Sequence, residues 1–64
     1  MTQLNTAPNI AAPDDVNQML IDAHDGLNDE QSMRLNAKLI LLLSNHIGDQ
    51  DVIAQAIASA KAAQ

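Results

Sequence analysis

The sequence predicts an all-α protein: a small three-helix bundle over residues about 13–25, 29–47 and 49–62, preceded by an extended N-terminal arm. Three observations carry this. Apolar residues recur at three- and four-residue spacing in each segment, helix-start residues precede each one, and the glycines, Gly26 and Gly48, stand at the two junctions.

The first twelve residues, MTQLNTAPNIAA, show no helical apolar stripe, and Pro13 biases Ala12 away from helix. They read as an extended arm. Leu4 and Ile10 are the large apolar groups that would fasten it across a groove; the alternative is a frayed terminus with Ile10 touching the first helix. Pro13-Asp14-Asp15 then starts a helix, because proline fits the first turn and carboxylates meet the positive end of the helix dipole. Val16, Met19, Leu20, Ala23 and Leu27 make its apolar stripe, and Gly26 offers a left-handed stop near Asp25.

Asn28 supplies a side-chain oxygen to the second helix, with Gln31 three residues on as the reciprocal half of a capping box. Asp29 and Glu30 add favourable first-turn charge, and Gly48 is the natural terminator after Ile47. Asp49 caps the third helix, whose Val52, Ile53, Ala56, Ile57 and Ala60 form a narrow, alanine-rich stripe. One helical domain over 13–64 follows, with no internal repeat.

A chain of 64 residues buries only about 60% of the surface that it exposes when unfolded, and a compact fold of this mass leaves about 4,000 Å² accessible. Small domains usually need a disulfide, a metal or a partner chain. Cysteine is absent, which removes disulfides, thiolate ligands and thiol nucleophiles together. Three basic residues against eight acidic ones give a formal net charge of −5, and there is no Phe, Tyr or Trp. This balance argues against nucleic acid, which needs a basic stripe and, for single strands, stacking aromatics. Neither an apolar span nor a basic leader is visible, so a membrane role has no support and the cytoplasm is the expected compartment.

The informative feature is Leu39-Ile40-Leu41-Leu42-Leu43, consecutive large aliphatics that at 100° per residue point around the whole helix. With Met33, Leu35, Ala37 and Ile47 they leave a polar arc of about 100°, held by Arg34, Lys38 and Asn45. Two short neighbours cannot easily cover such a helix. Three outcomes are open: the bundle sinks its central helix deeply, two copies associate as a homodimer, or the surface docks on a different protein. The residues expected to bind a protein partner are Ile10, Leu35, Leu39, Leu42, Leu43, Asn45 and His46.

Catalysis finds little support. His24 and His46 lie on different helices without a metal-ligand spacing, so no metal is expected, and His46 reads first as a group near the helix end that serves its carbonyls. Most acidic residues stand at helix starts, where the dipole accounts for them. No glycine-rich phosphate loop is present, and Ser32, Ser44 and Ser59 lack the Asp-Ser-Leu setting of an acyl carrier. The chain is therefore expected to be no enzyme and to hold no cofactor.

The run Leu4-Asn5-Thr6-Ala7-Pro8-Asn9-Ile10, then Pro13-Asp14-Asp15, Ala23-His24-Asp25-Gly26-Leu27, and the stretch from Leu35-Asn36-Ala37 through Asn45-His46-Ile47-Gly48-Asp49 resemble a family of short, uncharacterised bacterial proteins. The resemblance covers nearly the whole chain. It implies a gene neighbourhood rather than a mechanism: the family is often encoded beside FAD-dependent aromatic monooxygenases of the hydroxyphenylpropionate-hydroxylase type, in aromatic degradation clusters. The resemblance thus implies an accessory protein that binds and stabilises or modulates such an enzyme; the other reading is a self-associating homodimer with a structural or antitoxin-like regulatory role.

Overall fold

The computed structural model describes residues 2–64 and contains three helices, α1 over Pro13–His24, α2 over Asp29–Ile47 and α3 over Gln50–Ala62. No strand occurs among the described residues. The protein is a small all-α bundle with an arm before α1, as the periodicity predicts; Met1, the first residue of that arm, lies outside the described residues.

Local chemistry sets each boundary. Pro13 opens α1 with Asp14 and Asp15 in its first turn, and no side chain caps it. The helix stops at His24, one residue before the expected end, because Asp25 turns extended at φ −61°, ψ 129° and Gly26 follows at φ +80°. With Leu27 N–H donating to the His24 carbonyl at 3.1 Å, these residues make a type II turn, whose third position requires a positive φ. Leu27 therefore leaves the α1 stripe and sits in the connection.

The α2 start is the expected capping box. Gln31 N–H donates to Asn28 Oδ1 at 2.9 Å, and Asn28 N–H donates to Gln31 Oε1 at 3.1 Å. At the other end Gly48, at φ +66°, donates its N–H to the Ser44 carbonyl at 2.9 Å and ends the helix. Asp49 is the cap of α3, one residue outside it, and its Oδ1 accepts from the amides of Asp51 at 2.9 Å and Val52 at 3.1 Å.

The helices associate loosely. α3 packs along the C-terminal half of α2, and α1 is tied to the N-terminal half by His24, whose Nε2 lies 2.9 Å from Asn36 Oδ1. The arm returns to α3, where Leu4 N–H donates to Gln55 Oε1 at 3.0 Å and Gln55 Nε2 donates to the Thr2 carbonyl at 3.1 Å. Val16, Leu35, Leu39, Val52, Ile53 and Ala56 are half-buried and mark the seam, but no described residue is fully buried. The radius of gyration, 13.4 Å, exceeds the roughly 11 Å of a compact domain of this length. The reading in which the bundle sinks its central helix is thus not the arrangement found.

Candidate interaction surface

The five-aliphatic run in α2 is divided between two grooves by helix geometry. Leu35, Leu39 and Leu42, spaced by four and three residues, share one face and meet Met19, Leu20 and Ala23 of α1 across an apolar groove of about 420 Å³. Ile40, Leu43 and Ile47 share the next face and meet Ile53, Ala56 and Ile57 of α3 across a shallower groove of about 250 Å³. Leu41 falls outside both, on the side of Lys38 and Asn45 three and four residues away, and is 70% exposed.

Of the residues expected to bind a partner, Leu35, Leu39 and Leu42 are brought together, and Leu42 stays 69% exposed at the groove's mouth. Leu43 is turned into the other groove, so the expected single docking side is two faces. Ile10 sits apart from both, in a hollow of the arm beside Pro8 and Pro13, and it is Leu4 rather than Ile10 whose backbone is fastened to α3. Asn45 and His46 are exposed. Among the described residues the His46 ring makes no hydrogen bond; Gly48 closes the helix in its place, by a backbone bond. The sequence places Met19, Leu20 and Ala23 on the apolar stripe of α1 but not among the partner-binding residues; in the structure they form the second wall of an open groove. The signal was present in the stripe itself, which faces a helix with more apolar surface than α1 can cover.

Charge around the first groove is one-sided. Between Gln31 and Gly48, α2 carries no acidic residue, while Arg34 and Lys38 stand on one rim. Arg34 is already paired with Glu30 at 2.7 Å, an exposed i,i+4 bridge of small energetic weight. Lys38 lines the groove and has no ion-pair partner among the described residues. The clearest electrostatic perturbation lies elsewhere: the Thr2 side chain, followed by the Val52 and Asp51 amides, holds the Asp49 carboxyl below its ordinary value. That carboxylate is occupied in capping α3.

Among the described residues no three His, Asp or Glu side chains gather in a way that would hold a metal, and no helix is long and apolar enough to cross a membrane. What this arrangement offers chemically is adhesion: two aliphatic grooves on opposite flanks of one helix, with a cation at the rim of the larger.

The pattern of a family described as "Protein of unknown function (DUF2783)" matches residues 4–62, nearly the whole chain. The chain belongs to this family. Its matched region takes in the arm from Leu4, all three helices and both grooves. No curated protein and no solved structure matches the chain.

Proposed function

We propose that this protein is a non-catalytic accessory protein that docks the exposed aliphatic surface of α2 on a larger protein and stabilises or modulates it. A flavin-dependent aromatic hydroxylase is the partner suggested by the gene neighbourhood of the proteins it resembles, and the cytoplasm is the compartment such an enzyme would share with it. One observation carries the reading. The chain exposes 5732 Å², against about 4,000 Å² for a compact protein of its mass. The surplus of roughly 1,700 Å² is about twice what one partner contributes to a standard interface. Among the described residues twelve large hydrophobic side chains are exposed, Met33 and Leu41 at 70% or more. Soluble monomers rarely leave a contiguous apolar patch of more than a few hundred Å² unless it is an interaction site.

The test is co-purification of the untagged hydroxylase encoded beside the gene with the tagged chain, repeated with Leu42→Asp and with Leu43→Asp. Loss of association in at least one variant is expected, since a carboxylate buried without a partner costs several kcal/mol. Association unchanged in both removes α2 as the docking surface. Turnover of the bound hydroxylase is expected to survive His46→Ala, because the accessory role places no group of this chain in the reaction.

A further inference from the structure

We infer that the groove between α1 and α2 is filled by a second copy of this chain, the two α1–α2 hairpins closing face to face into a four-helix core. This rests on the reading of α2 as a docking surface. It assigns the Leu42 side of that surface to self-association and leaves the Leu43 side for the larger partner.

The first argument is shape. A helix pair open along one face can serve as half of a four-helix core, and a two-fold axis through the groove supplies the other half with the same residues. Leu35, Leu39 and Leu42 of one copy then lie against the α1 stripe of the other. The residues that line the groove project from two adjacent helices with a single polar group among them, Lys38.

Area is the second. Each chain exposes a surplus of roughly 1,700 Å² over a compact fold, and a standard stable interface needs about 800 Å² from each partner, so the dimer can form with the Leu43 side left open.

Charge complementarity selects the occupant. The rim of the groove on α2 carries Lys38, which has no ion-pair partner among the described residues, whereas α1 is acidic, with Asp14, Asp15 and Asp22 alternating with its apolar stripe. Asp15 and Asp22 neighbour Met19 at four and three residues, both along one edge of the face that borders the groove, and Asp22 also accepts from Gln18 Nε2 at 2.8 Å. One chain therefore carries both halves of a complementary pair, and an isologous contact uses that pair twice: Lys38 of each copy against the α1 carboxylates of the other. The α2–α3 groove has no charged group in its lining and no such self-complementarity.

Sedimentation equilibrium of the full chain tests this, at concentrations up to those of an NMR sample. The expected result is a particle of twice 6.8 kDa. Leu42→Asp should return it to a monomer, and it should leave helix content unchanged because Leu42 is exposed within one chain. Lys38→Glu should weaken the dimer about tenfold, and adding Asp22→Lys to Lys38→Glu should restore it. A dimer that survives Leu42→Asp but dissociates with Leu43→Asp overturns the assignment to this groove. A wild-type monomer overturns it as well, and hydrophobic-dye binding then separates the two claims: strong binding that Leu42→Asp or Leu43→Asp reduces keeps α2 as a docking surface for a different protein, whereas no binding and a sharp cooperative melt remove both.

Discussion

His24 joins α1 to α2 through Asn36, its Nε2 lying 2.9 Å from the amide oxygen while its Nδ1–H donates to the Leu20 carbonyl at 2.7 Å. The carbonyl can only accept, so Nδ1 carries a proton. The far nitrogen donates to Asn36 Oδ1 when the ring is doubly protonated, and accepts from the Asn36 nitrogen, with the amide turned over, when it is neutral. Among the described residues this is the one side-chain hydrogen bond that joins α1 to α2, beside the groove between them.

His24→Ala removes both bonds and should cost about 1–2 kcal/mol, at the usual net worth of a hydrogen bond. For a chain this short that lowers the melting temperature by about 4–8 °C per kcal/mol, readable by circular dichroism. Asn36→Ala should cost less, because the Leu20 bond survives. A double-mutant cycle should give a coupling of about 0.5–1 kcal/mol between the two residues; a coupling of zero would mean that the contact does not hold the hairpin.

The turn at Gly26 is a second point where one residue decides geometry. A side chain there meets no atom within 4 Å, so the cost of Gly26→Ala is that of the left-handed backbone at φ +80° alone, about 1–2 kcal/mol. At Gly48 the added carbon would lie 3.7 Å from the Asn45 carbonyl oxygen, ordinary contact, and the same backbone cost applies. Both alanine variants should melt earlier by similar amounts in thermal denaturation. Asn at either position should recover part of the loss, since it tolerates this conformation better than other residues with a side chain.

Gln55 pairs with the arm as a neighbouring strand would, accepting from Leu4 N–H and donating to the Thr2 carbonyl. Gln55→Glu keeps the acceptor for Leu4 but loses the donor and sets a negative charge beside the Thr2 carbonyl oxygen. Hydrogen exchange at the Leu4 amide should quicken in Gln55→Ala and should be less affected in Gln55→Glu. Helix content should be unchanged in both, because the arm lies outside α1–α3. Equal exchange in all three proteins would show that the amide does not pin the arm.

The parts that can be read in the sequence are those whose partners lie within one helical turn. Asn28 with Gln31, Asp49 with the Asp51 and Val52 amides, and Gly48 after Ile47 are all local, and each stands where its residue type predicts. The end of α1 shifts by one residue because a type II turn needs Asp25 as well as Gly26 outside the helix. His24 with Asn36 spans twelve positions and Gln55 with Thr2 spans 53, and neither pairing has a local signature, since it depends on where the chain returns. The excess of aliphatic surface on α2 is legible from Leu39 to Leu43. Its division into a Leu42 groove and a Leu43 groove is not, because it depends on which flank each neighbouring helix takes.

Asp49 ties the arm to the start of α3 by electrostatics. Its carboxyl is held below the ordinary value near 3.8 by the Thr2 side chain first, then by the amides of Val52 and Asp51. The folded value lies below the unfolded one, so this contribution to stability is complete above the ordinary carboxylate range and is lost as the pH falls through the lowered folded value. Acid should therefore loosen the first turn of α3 and the Thr2 contact together. An NMR titration of the Asp49 carboxyl should show a midpoint below 3.8 in the wild type, and one closer to it in Thr2→Val, which lacks the hydroxyl donor. Asp49→Asn keeps an oxygen to cap the helix but carries no titrating group, so its melting temperature should fall less than that of the wild type between neutral pH and pH values below that range. If the two proteins lose stability in parallel across that window, the Asp49 cap is not what acid removes.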